Sequence, residues 1–257
     1  MTFDRAYQWW NLAHAAVILA AVASVVVPVE LGGAALVPVA EGTILRVLAG
    51  WGVVALGGLY GAARLRDRRR PKTGRARSHW LPDLCTAVRG ATAGGLLWML
   101  PAAQGWSEET MWIVVAVLAV VEVTDFLDGK LARIVGPSSF GALWDMENDA
   151  LFTLSLSLLV YIRYDVAPVL LLLGLMRYVY VLVWRFHRDP VCVPSSYKWF
   201  AKTTAAAIVV TLIASAVPII PDDVRGAALA TVLTMQVVSF GWDLALQYRA
   251  LRVSGPR

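Results

Sequence analysis

Apolar residues run through this chain in long blocks separated by short polar segments. Eight blocks, near 10–28, 44–64, 82–102, 110–128, 141–161, 166–185, 201–217 and 226–246, each come close to the ~20 residues a helix needs to cross bilayer hydrocarbon. Breakers stand between them: Pro28, Pro38, Pro71, Pro101, Pro137, Pro190, Pro194, Pro218 and Pro221. This pattern predicts an all-α, polytopic membrane helix bundle. Charge orients it. With the N-terminus in the cytoplasm and the sides alternating, only Arg46, Arg163 and Arg225 of the 23 Lys and Arg fall at outer ends and loops, together with Glu30, Glu41, Glu108, Glu109, Asp165, Asp222 and Asp223. The rest lie on the inner side, a strong positive-inside bias. The segment Arg64–Trp80 carries eight Lys or Arg against one Asp, with Pro71 and Gly74 interrupting any helix. It divides residues 1–80, a two-span leader ending in a basic cytoplasmic loop, from residues 81–257, a six-span core.

Composition agrees. Of 257 residues, 58% are hydrophobic and 16% charged, against about 25% charged in an ordinary soluble domain. Eleven Trp and eight Tyr suit a chain with two membrane–water interfaces. The net charge of +5 is explained by topology and anionic lipid, because the basic residues flank apolar spans; nucleic acid is not an expected partner. Two Cys, Cys85 and Cys192, with no C-x-x-C pair, argue against a disulfide framework or a zinc site. Ala21-Val22-Ala23 has the form of a signal-peptide cleavage site, yet the first block fits the topology as a retained helix.

One region carries chemistry. Residues 125–149 read DFLDGKLARIVGPSSFGALWDMEND. Ionisable groups beside membrane spans are costly and mark function by default, and four Asp so close repel one another unless protons or cations intervene. Asp125 and Asp128 are three apart at the inner end of one helix. Asp145 and Asp149 are four apart at the start of the next. Each pair shares a face. The stretch Gly129–Ser139, which includes Pro137, reverses the chain and sets the pairs opposite each other. Hard carboxylate oxygens in this arrangement suit Mg²⁺ or Mn²⁺, with substrate phosphates completing the shell. Gly129, Ala132 and Gly141 allow a ligand close to backbone, and Arg133 offers a fork for a phosphate.

These residues resemble the signature of the CDP-alcohol phosphotransferases, D-x-x-D-G-x-x-A-R, a spacer, then G-x-x-x-D-x-x-x-D. Asp125, Asp128, Gly129, Ala132, Arg133, Gly141, Asp145 and Asp149 occupy all its fixed positions. The spacer Ile134–Phe140 is one residue shorter than the family's usual eight. Three weaker matches extend the resemblance over roughly 80–250. Leu81-Pro82-Asp83-Leu84-Cys85-Thr86-Ala87-Val88-Arg89 is similar to the P-N-x-x-T-x-x-R opening of the first core helix, with Asp83 in place of Asn. Arg177 resembles an arginine often found at that place, and Lys202-Thr203-Thr204 resembles a K-T element before the fifth core helix.

The resemblance implies that a hydroxyl attacks a CDP-linked alcohol, often CDP-diacylglycerol, and that CMP leaves, a step of phospholipid biosynthesis. It implies two divalent ions held by Asp125, Asp128 and Asp145, with Asp149 contributing to the metal site and acting as general base. It further implies contacts from Gly129 and Arg133 to the CDP moiety, and a homodimer. Thr86, Arg89, Arg177 and Lys202, with Ala132 and Gly141, complete the expected substrate-binding set. Arg89, Arg177, Lys198 and Lys202 also have a plainer reading as inner-side cations snorkelling to the interface.

Glu122, one turn before Asp125, is expected within the bundle or behind the metal ligands. Glu147, out of phase with Asp145 and Asp149, is expected to face solvent or headgroups. His14, His79, His187 and Asp243 are expected to be structural. The Asp cluster leaves two competing functions: an Asp-rich intramembrane prenyltransferase, whose two motifs would lie far apart in sequence, and a divalent-cation transporter, whose ionisable groups would lie near the midplane on repeated halves.

Overall fold

The computed structural model describes residues 3–30, 46–52, 55–58, 60, 80–135, 139–184 and 194–254. Within these, backbone alone is described at 3–6, 24–30, 80–83, 125, 127–135, 139–143, 183–184 and 250–254. The described residues form helices and connecting turns, with no strand among them. Helix α1 spans Phe3–Glu30, and α2 contains the helical residues 46–52 and 55–58. They are followed by α3 (Trp80–Met99), α4 (Glu108–Val135), α5 (Ser139–Tyr164), α6 (Leu172–Trp184), α7 (Ser195–Ser215) and α8 (Asp222–Ser254). Each predicted block therefore contains a helix.

Three local differences have physical causes. Pro101 and Pro168 lack the N–H a continuing α-helix needs, and 3₁₀ segments occur there, at Leu100–Gly105 and Pro168–Leu171. Helix α4 runs to Val135, beyond the expected turn at Gly129. A lone Gly costs only about 1 kcal/mol in a helix, whereas the following Lys130-Leu131-Ala132-Arg133 are good helix formers. The signature residues from Asp125 to Arg133 are thus helical. Helix α5 ends where Asp165 adopts a left-handed φ of 50°, a conformation Asp tolerates better than most residues.

Helix α5 is the axis of the bundle. It packs against α3, α6 and α7, and its mid-section is buried on every side, including Leu151, Phe152, Leu154, Leu156, Leu158 and Leu159. A helix apolar all round belongs at a core. Its buried Ser155 and Ser157 satisfy their hydroxyls by donating to the carbonyls of Phe152 (2.7 Å) and Thr153 (2.8 Å). Close approach of α6 requires Gly174: a Cβ there would lie 2.5 Å from Leu154 Cα.

Alongside the apolar core, several polar residues are buried and many large apolar ones are exposed. Buried are His14, Arg89, Glu147, Asn148, Gln236 and Asp243. Exposed are Ile113, Val117, Val120 and Val123 along α4, and Trp199, Val210, Val237 and Val238 on α7 and α8. In water this would be an unusually apolar surface; against lipid it is the expected one. Among the described residues, Asp222–Arg249 within α8 is the one helix that meets both length and composition requirements for a membrane crossing.

Candidate active site

The first turns of α5 and the middle of α3 build the centre of the site. Asp145 and Asp149 stand one turn apart on α5, with side chains 45% and 48% exposed. Facing them from α3 are Thr86 and Arg89, likewise almost one turn apart. Thr86 Oγ1 donates to Asp145 Oδ1 at 3.3 Å. Arg89 Nη1 lies 3.8 Å from the same oxygen and in direct contact with Asp149 Oδ1. Arg89 itself is 3% exposed, with its guanidinium carbon 5.9 Å from the centre of the Phe152 ring. A buried guanidinium needs such a carboxylate, and here it fixes how Asp149 presents its oxygens.

The helices are locked in this register by Gly90 and Asn148. Asn148 is buried, donates from Nδ2 to the Trp144 carbonyl at 2.7 Å, and lies where a Cβ on residue 90 would stand. Asn148 thus packs between the two helices. Trp144 in turn donates to the Leu56 carbonyl of α2 at 3.2 Å.

A cavity of about 650 Å³ opens among helices α3 to α8, and Arg89, Asp149, Arg177, Lys202 and Glu122 line it. The structure therefore brings together, from five helices, residues that lie far apart in sequence. Tyr197 lines the same space from the start of α7, ahead of the predicted span, and burial pushes its phenol up to about 12, the charge and hydrogen bond of Asp243 adding to the effect. Asp243 is buried and accepts from Tyr180 at 2.7 Å and Gln247 at 3.2 Å, the structural role expected of it. His14 is structural as well, accepting at Nδ1 from Trp51 at 3.0 Å.

Asp125, Asp128, Gly129, Ala132, Arg133 and Gly141 have described backbone within α4 and α5, but their side chains lie outside the described residues, as does the basic loop with His79. Among the described residues no three His, Cys, Asp or Glu side chains are grouped as a metal site. Asp145 and Asp149, carboxylates one turn apart on one face and half-open to the surroundings, have the chemistry of a hard-cation donor pair.

Glu147 corrects a sequence expectation. It faces neither solvent nor headgroups: it is fully buried, accepting from Tyr7 Oη at 2.9 Å and paired with Arg177 Nη2 at 2.5 Å. Tyr7 lies ahead of the first predicted span, and burial beside Glu147 raises its phenol pKa. The sequence signal for this contact was the spacing of Tyr7, Trp10 and His14, which places three rings on one face of α1.

The sequence model of the CDP-alcohol phosphatidyltransferase family matches residues 79–242, more than half of the chain. The chain belongs to this family. Its members transfer a phospho-alcohol group from a CDP-alcohol and are transferases of substituted phosphate groups, membrane helix bundles, and generally dependent on divalent metal. No curated protein and no solved structure gives a significant match. The match begins at the start of α3 and ends within α8, so this CDP-alcohol phosphatidyltransferase has its α3–α5 cluster and the lined cavity inside the family region, and α1 and α2 outside it.

Proposed function

We propose that the chain is a multi-pass membrane enzyme whose site opens at the cytoplasmic face. It moves a phosphatidyl or other phospho-alcohol group from a CDP-linked donor, CDP-diacylglycerol foremost, to an acceptor hydroxyl, with release of CMP. The observation that carries this reading is the cavity. Asp149 of the signature lines it together with Arg89, Arg177 and Lys202, a base and three cations around a space sized for substrate.

In the transfer, the acceptor oxygen forms a bond to the phosphorus next to the donor alcohol. The bond from that phosphorus to the CMP oxygen breaks, and the hydroxyl proton passes to Asp149. Arg89 orients the Asp149 carboxylate through their contact. Asp125, Asp128, Asp145 and Asp149 would hold Mg²⁺ or Mn²⁺, two ions in all, which supplies charge to offset the diphosphate oxygens. Gly129, Ala132, Arg133, Gly141 and Thr86 would hold the CDP moiety, and Arg177 and Lys202 the acceptor. Phosphoryl transfer is mainly positioning and electrostatics, and this residue set provides both. A homodimer is the expected assembly, testable by cross-linking in native membranes.

The test is an acceptor screen on purified full-length protein. CDP-diacylglycerol and Mg²⁺ are supplied with glycerol 3-phosphate, inositol phosphate, serine or a second lipid, and both CMP and product lipid mass are measured. Metal-dependent CMP release with one acceptor is expected; none with any acceptor would remove the reading. Orientation is checked separately by cysteine labelling in sealed vesicles. Position 75 should label from the cytoplasmic side and positions 218–224 from outside, and the reverse would move the site to the other face.

A further inference from the structure

Helices α1 and α2 lie outside the matched region 79–242, and membership of the family gives them no task. Their contacts do. Tyr7, Trp10 and His14 form one face of α1, and α1 packs along α6. Trp10 stacks on His14 with ring centres 4.8 Å apart, and His14 meets Tyr178 of α6 edge-on at 5.8 Å. Trp51 of α2 donates to His14 Nδ1, leaving the neutral imidazole's proton on Nε2. At the end of this aromatic row, Tyr7 Oη reaches Glu147 Oε1, the oxygen that also holds Arg177 Nη2.

Glu147 lies between Asp145 and Asp149 in sequence but points away from the cavity; Arg177, its partner, lines the cavity with Lys202. A fully buried carboxylate persists only with its charge matched; here Tyr7 and Arg177 both meet Oε1, and Oε2 has no hydrogen-bond partner among the described residues. The same ion pair ties a flexible arginine to one position.

We infer that Glu147 is a positioning residue: together with Tyr7 of the N-terminal helix it fixes the Arg177 guanidinium at the cavity wall, which makes the leader a structural part of the active site. The inference rests on the reading of this cavity as the site of transfer.

The experiment measures kcat and both KM values, for CDP-diacylglycerol and for the acceptor that supports CMP release by the wild type, on folded protein isolated by size exclusion. Tyr7→Phe keeps the ring and removes one hydrogen bond. Glu147→Gln keeps the shape and removes the charge. Removing a supporting partner behind a functional group typically costs about 10–100-fold. An acceptor KM raised ~10-fold in Glu147→Gln and by a smaller factor in Tyr7→Phe is expected, with kcat changed less. In an Arg177→Lys background both effects should largely vanish, because the group they position is already altered. Should Glu147→Gln not fold, Tyr7→Phe and its cycle with Arg177→Lys decide the matter alone. Unchanged KM values in the folded variants, or effects that multiply fully with Arg177→Lys, overturn the positioning role. Absence of CMP release by the wild type would instead overturn the transfer reading on which it rests.

Discussion

Arg89 and Arg225 are two arginines of nearly equal burial, 3% and 2% exposed, set at opposite ends of α5. Asp149 and Tyr164, their respective neighbours on that helix, are separated by roughly 22 Å at the helical rise. Arg225 is closed off. Its Nε donates to the Ser215 carbonyl at 2.8 Å, Nη2 donates to the Ile220 carbonyl at 2.9 Å, Nη1 pairs with Asp222, and Tyr164 covers its face at 3.6 Å. The group ties together the turn between α7 and α8 and the end of α5. Arg89 meets two half-exposed carboxylates, and one of them, Asp149, lines the cavity with it. An arginine spent on backbone carbonyls serves the fold; one facing open carboxylates beside a cavity is available to chemistry. Burial alone does not separate the two, and the partners do.

The comparison breaks first at the carboxylates. Asp125→Asn, Asp128→Asn and Asp145→Asn should each abolish metal-dependent CMP release, since Asn keeps the size but loses the charge a hard cation needs. Chelation of the wild type should do the same. Asp149→Asn should lower turnover about 10²–10⁴-fold, the usual contribution of a positioned base, while retaining more metal-dependent binding of CDP-lipid. Binding and CMP release measured separately on the four variants check this. Normal turnover in Asp145→Asn would show that the pairing with α3 is structural only.

The arginines themselves come next. Arg225→Ala leaves the Ser215 and Ile220 carbonyls without their donor, at about 1–3 kcal/mol for each buried group, so thermal unfolding in detergent should shift down sharply. The folded fraction should keep its specific activity. Arg89→Ala should show the opposite balance, losing specific activity more than stability. If both variants lost stability and activity in the same proportion, the distinction between closed and open arginines would fail.

How far the sequence revealed this contrast depends on the kind of information involved. The helices were legible because length and apolarity determine them, and the Asp pair of α5 was legible because 3.6-residue periodicity puts residues 145 and 149 on one face. The same periodicity placed Glu147 correctly off that face. What it cannot supply is the neighbour on the other side, and here that neighbour is Tyr7 on α1 with Arg177 on α6. A charged residue out of phase with a polar face therefore reads as solvent-facing from periodicity alone, although here it belongs to a buried clasp. Arg225 shows the same limit: its place beside a turn is evident from Pro218 and Pro221, but its burial follows from how α5, α7 and α8 meet. The reach of α4 past Gly129 follows from the run of helix formers after it, which outweighs a single glycine.

A smaller effect is expected where α5 meets α6. An alanine at residue 174 would bring its Cβ within 2.5 Å of Leu154 Cα and 2.9 Å of Ser157 Oγ. The first is backbone and cannot swing aside, so the helices must separate. Overpacking of this kind costs about 1–3 kcal/mol. Because Arg177 lies one turn beyond Gly174 and lines the cavity, activity should fall somewhat more than stability. A Gly174→Ala variant with wild-type unfolding temperature would show that α6 slides on α5 at no cost.

The smallest effect concerns Tyr197, which extends the comparison from arginines to the cavity's uncharged polar wall. Its phenol is pushed up to about 12 by burial and by Asp243, against an ordinary value near 10. The native state thus holds this proton more tightly than the unfolded chain. The contribution to stability is fully present below about pH 10 and is lost as pH rises through about 12, because the unfolded phenol ionises first. Below pH 10 the residue stays neutral, so it should leave the pH profile of CMP release unchanged there. Tyr197→Phe removes a hydrogen bond worth about 1 kcal/mol and also removes this residue's share of the alkaline loss. Unfolding curves of the two proteins should therefore be offset slightly at pH 8 and converge between pH 10 and 12. Parallel curves across that range would mean that Tyr197 is not held by Asp243, and that the cavity wall at α7 is looser than the ion-paired wall formed by α3 and α5.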